Sequence, residues 1–346
     1  MDKNIVLSND VKMPRLGLGV DTLHGDECIN SVIWAIENGY RLIDTASCYY
    51  NEKEVGIAIK NCIDRGIVKR EDLFITSKAP YHMPGIEDTI NGYELSLKNL
   101  GLDYLDLYLI HSPYWNSFTW KEDIISTWKG MIKLYEEKKV RAIGVANFNS
   151  GLATDVMATS SLMLPHVNQF ELHPQHQNKF AAAWCHKNNV QIEAWGTLNQ
   201  GRLFDSKIME SLAKKYNKDI AQIAIRWTLQ KGNCALVRST KLERIKSNFD
   251  VWDFEISQED MQIIENLDNG KWSHIHDEYE NCPIAFLPQK YYWQKLENTK
   301  FKEQLEIKKF YLFGFIPFLI RKQFTCKTKW YLFGIPILKI KRKENK

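Results

Sequence analysis

Apolar residues fall into short runs that alternate with amphipathic stretches along most of the chain. Tyr40-Arg41-Leu42-Ile43, after Gly39, is the kind of run that forms a buried strand, and it ends in Asp44. Past Asn51 the spacing becomes helical, through Val55, Ile57, Ala58, Ile59 and Ile63. The same change of period recurs. Strands are predicted over 16–20, 73–77, 105–110, 140–145, 166–170, 191–194 and 235–237. Helices are predicted over 28–38, 52–63, 86–100, 124–138, 151–159, 179–187, 207–216 and 220–230, with another starting near Leu242.

Eight strands alternating with helices predict a parallel sheet. Eight such units in about 250 residues predict closure into an α/β (β/α)8 TIM barrel. Val6-Leu7 and Val11-Lys12-Met13, around Ser8-Asn9-Asp10, add a small N-terminal β-hairpin. An open doubly wound sheet is the alternative, but no G-x-G-x-x-G opens a helix after the first strand; Gly17-Leu18-Gly19 is too little. Closure matters because it gathers the C-terminal ends of all the strands around one mouth.

Polar residues mark those ends. Asp44 and Tyr49 lie in one strand-to-helix loop, Lys78 and His111 follow the next two strands, and Asn147, Gln169, Trp195 and Arg238-Ser239 come at or near the ends of later ones. A phenol is a weak acid, with a free pKa near ~10. An adjacent ammonium stabilises its anion, a carboxylate holds that ammonium in place, and an imidazole orients a carbonyl. Such a set donates a proton to a carbonyl oxygen that is receiving a hydride, and the hydride needs a nicotinamide cofactor.

These residues belong to longer motifs. Asp44-Thr45-Ala46-x-x-Tyr49-x-Asn51-Glu52-x-x-Val55-Gly56, Ile75-Thr76-Ser77-Lys78 and Leu109-Ile110-His111-Ser112-Pro113 resemble the signature segments of the aldo-keto reductases. Gly144-Val145-Ala146-Asn147-Phe148-Asn149, Asn168-Gln169-Phe170-Glu171-Leu172-His173-Pro174 and Ala194-Trp195-Gly196-Thr197-Leu198-Asn199-Gln200-Gly201 are similar to further motifs of that family, in the same order. Arg238-Ser239-Thr240, with Arg244 and Asn248, is similar to its phosphate and adenine segment. The resemblance spans residues 4 to 268 and implies an NADPH-dependent reductase of a small aldehyde or ketone. It makes Tyr49 the general acid, tuned by Lys78 and Asp44, with His111 orienting the substrate. Asn147 and Gln169 would hold the nicotinamide carboxamide and Trp195 would stack on the ring. Gly19, Val20, Asp44, Gly196, Leu198, Gly201, Arg238, Ser239, Thr240, Arg244 and Asn248 would complete the NADP(H) site. Asp21, Tyr49, His111 and Ser112 would line the substrate pocket.

Departures from the family pattern shape the expectation. Ala146 stands for a serine, Gly196-Thr197 for Ser-Pro, Val237 and Arg238 for Pro and Lys, and Ser247 for a glutamate that holds adenine. Asp21 and Ser112 replace aromatic residues, which predicts a more polar pocket. A non-catalytic nucleotide-binding or scaffold subunit of the same fold is the alternative, favoured by the eroded cofactor segment and opposed by the intact tetrad. His173 is expected to be structural, with His176 beside it, and no metal site is expected. Cys48 reads as a small buried filler, His274 and His276 as solvated, and Trp115 and Trp120 as either pocket wall or ordinary packing.

Composition adds the tail. The chain has 346 residues, 44% of them hydrophobic, and a net charge of +4. Twelve of its Lys/Arg but only three of its Asp/Glu follow residue 300, so the tail carries +9 and the rest −5. A mildly acidic body makes nucleic acid an unlikely partner by charge. Seven cysteines without a C-x-x-C pair suggest reduced thiols in a cytoplasm. No secretory signal is read, no stretch is apolar enough to span a bilayer, and a monomer is expected. Lys309-Phe310-Tyr311-Leu312-Phe313-Gly314 recurs as Lys329-Trp330-Tyr331-Leu332-Phe333-Gly334, twenty residues later. Similar repeats resemble tails on bacterial surface-glycan biosynthesis proteins, which would suggest a sugar or glycan precursor as substrate. The expected division is a barrel over 1–270, a loop or linker over 271–305 and a β-rich basic repeat module over 306–346. That module is either an appendage packed on the barrel or a contact for a membrane surface or a glycan-pathway protein.

Overall fold

The computed structural model describes residues 1–80, 84–113, 119–149, 157 and 162–270, and the backbone of four strands between 306 and 341. Eight parallel strands close a barrel: β3 (Leu16–Gly19), β4 (Leu42–Asp44), β5 (Phe74–Ala79), β6 (Leu105–Ile110), β7 (Val140–Ala146), β8 (Val167–Glu171), β9 (Gln191–Trp195) and β10 (Cys234–Val237), with β10 pairing back onto β3. Before them, β1 (Asn4–Val6) and β2 (Lys12–Pro14) form the expected hairpin, with Ile5 opposite Met13. Leu7 and Met13 pack with Leu42, Phe74, Leu107, Ala142 and Val167 in one buried cluster, so the hairpin fills the barrel at the end away from the mouth.

Helices α1 (Gly25–Glu37), α2 (Glu52–Asp64), α3 (Ile86–Leu100), α4 (Trp120–Glu136), α5 (Lys179–Lys187), α6 (Lys207–Tyr216), α7 (Ile220–Gln230), α8 (Leu242–Phe249) and α9 (Gln258–Glu265) follow the strands. Helix α7 turns an apolar face to the sheet, burying Ile223, Ala224 and Trp227 beside Phe170 and Ile192. At about 25 cal/mol per Å² this burial is the main stabilising term. Asp219 caps α7 by accepting from the backbone N–H of Gln222, whose side chain returns a bond to Asp219 N.

Several predicted boundaries shift. The third strand runs to Ala79, so Lys78 lies within β5 and not after it. Helix α1 starts three residues early, at Gly25, where Asp26 and Glu27 suit a helix N-terminus. Helix α9 has no counterpart in the prediction. Apart from buried Met157, the helix predicted over 151–159 lies outside the described residues, as do the segment 271–305, Trp115, His274 and His276.

By compactness the chain divides into two units, Met1–Phe286 and Leu287–Lys346. In the second, β11 (Glu306–Leu312), β12 (Ile316–Phe324), β13 (Lys327–Leu332) and β14 (Ile335–Lys341) form an antiparallel meander. Pairing slips by one residue between Phe310 and Tyr311, and again between Trp330 and Tyr331. The two sequence repeats are therefore two copies of one bulged hairpin, and in each the proline pairs opposite the tyrosine (Pro317 with Tyr311, Pro336 with Tyr331). No helix among the described residues is long and apolar enough to cross a membrane.

Candidate active site

The mouth is set by how the loop after β4 is tied down. Thr45 Oγ1 donates to Asn51 Oδ1 at 2.7 Å, and Asn51 Nδ2 donates to the carbonyls of Val20 and Leu23 at 2.7 and 2.9 Å. Glu52 accepts from Ser77 Oγ at 2.7 Å and from Asn99 Nδ2 at 3.0 Å. Thr45, Asn51 and Glu52 are all buried, so the Asn-Glu pair of the first motif holds the loop and touches no chemistry itself.

Within that frame the four expected catalytic residues meet. Lys78, fully buried, donates to Asp44 Oδ1 at 2.6 Å, to the Thr45 carbonyl at 3.1 Å and to the Tyr49 hydroxyl at 3.2 Å. The ammonium uses one lone pair of the phenol oxygen and stabilises negative charge there. The phenol is thereby left as a donor towards the mouth. The rings of Tyr49 and His111 stand edge to face with centroids 5.5 Å apart. Burial pushes the Asp44 carboxyl above its usual range, while the Lys78 ammonium and the Gln169 amide pull it back.

Cys48 is half-buried, not the buried filler expected, and its sulfur lies 3.2 Å from His111 Nδ1. A thiol that donates to Nδ1 leaves the imidazole hydrogen on Nε2, where it can donate to a carbonyl oxygen.

The pair expected to hold a carboxamide lies beside the tetrad. Asn147, at φ +63°, donates from its backbone to Gln169 O at 2.7 Å and from Nδ2 to His111 O at 2.9 Å. Its Oδ1 accepts from Trp195 Nε1 at 3.0 Å, which fixes the plane of a half-buried indole at the end of β9. Gln169 crosses the barrel interior: Nε2 donates to Asp44 Oδ2 at 2.8 Å and to Glu193 Oε2 at 2.7 Å. Its Oε1 accepts no hydrogen bond among the described residues, which is the group a carboxamide N–H requires.

The rest of the predicted nucleotide site is brought to one side of the mouth. Gly19 pairs with Asp44 across β3 and β4, and the Val20 N–H donates to Asp44 O at 3.1 Å. Gly196 (φ +69°), Leu198 and the exposed Gly201 (φ +90°) follow β9, where positive φ favours glycine. Thr197, where the family pattern has proline, donates from Oγ1 to Leu236 O at 3.1 Å and so ties the end of β9 to β10. Arg238 is exposed and donates to the Asp21 carbonyl at 3.1 Å and to Thr22 Oγ1, bridging the ends of β10 and β3. Ser239 Oγ accepts from Lys241 N at 3.1 Å beside half-buried Thr240, while Arg244 is exposed and Asn248 buried on α8. Ser247 turns away, donating to Asp219 Oδ2 at 2.6 Å. Of the expected pocket residues, Asp21 is exposed and Ser112 is buried beside His111. Trp120 packs in α4. His173 Nε2 lies 3.0 Å from Glu171 Oε1, both fully buried, which is the structural role expected of it.

Glu193 is a buried residue at this site that sequence reasoning missed. In Gln191-Ile192-Glu193-Ala194 a charged residue looks solvent-facing, yet its side chain points into the barrel and is fully buried.

Comparison with known proteins agrees with the barrel fold and the family resemblance. The model of the aldo/keto reductase family matches residues 15–269. A glyoxal reductase of Bacillus subtilis is 44% identical over 268 residues, covering 77% of this chain and 93% of that protein. A methylglyoxal reductase of Escherichia coli is 41% identical over 271 residues, covering 77% and 94%. Among solved structures, a Bombyx mori aldo-keto reductase in complex with NADP superposes with a TM-score of 0.73 at 29% identity, covering 81% of this chain and 97% of that one.

Proposed function

The chain belongs to the aldo/keto reductase family and is an NAD(P)H-dependent oxidoreductase, and on that premise we propose that it reduces small polar aldehydes, α-oxoaldehydes foremost, with Tyr49 as proton donor. The observation that carries this reading is the bond from buried Lys78 to the Tyr49 hydroxyl, with Asp44 behind the lysine. NADPH, when bound, supplies the hydride. Asn147 and Gln169 would hold its carboxamide, Trp195 would lie against its ring, and Arg238 and Arg244 would meet the 2′-phosphate, for which guanidinium geometry is suited. His111 orients the carbonyl and helps to polarise it. Tyr49 gives its proton to the carbonyl oxygen, and the phenolate left behind is stabilised by the Lys78 ammonium until solvent reprotonates it. Asp44 holds the ammonium in place.

Asp21 and Ser112, where the family pattern has aromatic residues, support a small hydrated substrate over a bulky apolar one. The ordered tetrad favours turnover over the scaffold reading, because a binding subunit has no use for a buried lysine aimed at a phenol. We read residues 306–346 as a separable basic module that brings the enzyme to an anionic surface, on the strength of its +9 charge. The test of substrate class is the decay of NADPH absorbance with methylglyoxal, glyceraldehyde and a hydrophobic aromatic aldehyde. The α-oxoaldehyde should have the highest kcat/KM; a clear preference for the aromatic aldehyde would contradict the polar-pocket reading.

A further inference from the structure

The barrel interior holds a second buried carboxyl that the proton chemistry leaves unused. Glu193 on β9 is the register partner of Gln169 on β8 and of Cys234 on β10. Glu193 Oε2 accepts from Gln169 Nε2, and Glu193 Oε1 has no hydrogen-bond partner among the described residues. The same Gln169 nitrogen also donates to Asp44 Oδ2, on the opposite wall of the barrel. An amide nitrogen has two hydrogens, and here each meets a carboxyl oxygen from a different side. Turning the amide over would press its carbonyl oxygen onto the Asp44 carboxylate, acceptor against acceptor, and would take the amide hydrogen away from Glu193 Oε2. Gln169 therefore has one orientation, fixed from both sides, with Oε1 as its remaining acceptor.

We propose that Glu193 is a positioning residue of the reductase: together with Asp44 it locks the Gln169 amide so that Oε1 accepts from the N–H of the nicotinamide carboxamide. This rests on the reading of Gln169 as a carboxamide ligand. Asp44 alone would give the amide one anchor, on a carboxylate already drawn to Lys78, and the amide could pivot about it. The protonation state supports the arrangement. Burial, with the charge of Asp44 adding to it, pushes the Glu193 carboxyl up to about 8, so near neutrality it carries its own hydrogen. The interior then balances one carboxylate, Asp44, against one ammonium, Lys78, and Glu193 adds a fixed acceptor without a second buried charge.

The test compares two nucleotides: oxidised NADP and its 3-acetylpyridine analogue, whose methyl ketone has no N–H to give. E193L removes the anchor and should weaken NADP binding roughly tenfold, the size of one hydrogen bond, while leaving the analogue's affinity unchanged. E193M repeats the test with an unbranched side chain in case leucine is not accommodated. E193Q, which keeps an acceptor oxygen, should recover most of the loss. Equal weakening of both nucleotides in E193L or E193M, or no weakening of either, overturns the proposal. Q169L separates the premise: it should show the same discrimination between the nucleotides. If Q169L leaves both affinities unchanged, the carboxamide reading of Gln169 fails, and the role of Glu193 with it.

Discussion

Lys78 shows how much one side chain depends on its neighbours. A buried ammonium is costly unless it is paired, and breaking such a pair typically costs more than the pair contributes. Lys78→Met would leave Asp44 facing Gln169 without its counter-ion. The expected loss is about 3–5 kcal/mol of stability, read from urea denaturation, and Asp44→Leu in the same chain should restore part of it. A single variant as stable as the parent would mean that the pair is not buried as described. The residue types at this scale were legible because few other roles suit a carboxylate, a phenol, a lysine and a histidine after successive strands. Cys48 and Glu193 were not. A thiol in a loop and a carboxylate in a strand have ordinary explanations, and only the fold puts one against His111 and the other against Gln169. The contact of Ser247 with Asp219 bridges 28 residues and leaves no mark in local spacing.

Elements were legible where period changed sharply, and less so at their ends. Lys78 reads as a strand terminator because lysine is rarely buried, yet β5 runs on to Ala79 because Asp44 makes a buried lysine tolerable. Gly56 is an element-scale requirement of a different kind. It lies on α2 where the end of α3 approaches so closely that an added Cβ would stand 2.3 Å from the Leu100 carbonyl oxygen. Neither backbone can yield without shifting a helix against the barrel. Gly56→Ala should therefore destabilise the barrel by about 1–3 kcal/mol, despite alanine's better helix propensity, and the thermal midpoint measures it. A rise in that midpoint would contradict the close approach.

At the scale of the molecule, every tetrad and nucleotide-site residue named above lies within Met1–Phe286, and the bulged hairpins lie in the second unit. The repeat was visible in sequence, and the two strands read in each unit match β11 with β12 and β13 with β14. A chain ending at Leu305 should keep its turnover of a soluble aldehyde and lose any salt-sensitive binding to anionic vesicles, because exposed charges are screened within about 10 Å at 0.1 M salt. Loss of turnover with the barrel still folded by circular dichroism would place the tail in the active site. For the enzyme as a whole, the central claim is that the Tyr49 hydroxyl provides the proton while hydride comes from NADPH. The most direct measurement is single-turnover NADPH oxidation by Tyr49→Phe beside its NADPH dissociation constant. The predicted result is a rate lower by on the order of 10²–10⁴ with the dissociation constant unchanged; reduction at the parent rate would contradict it.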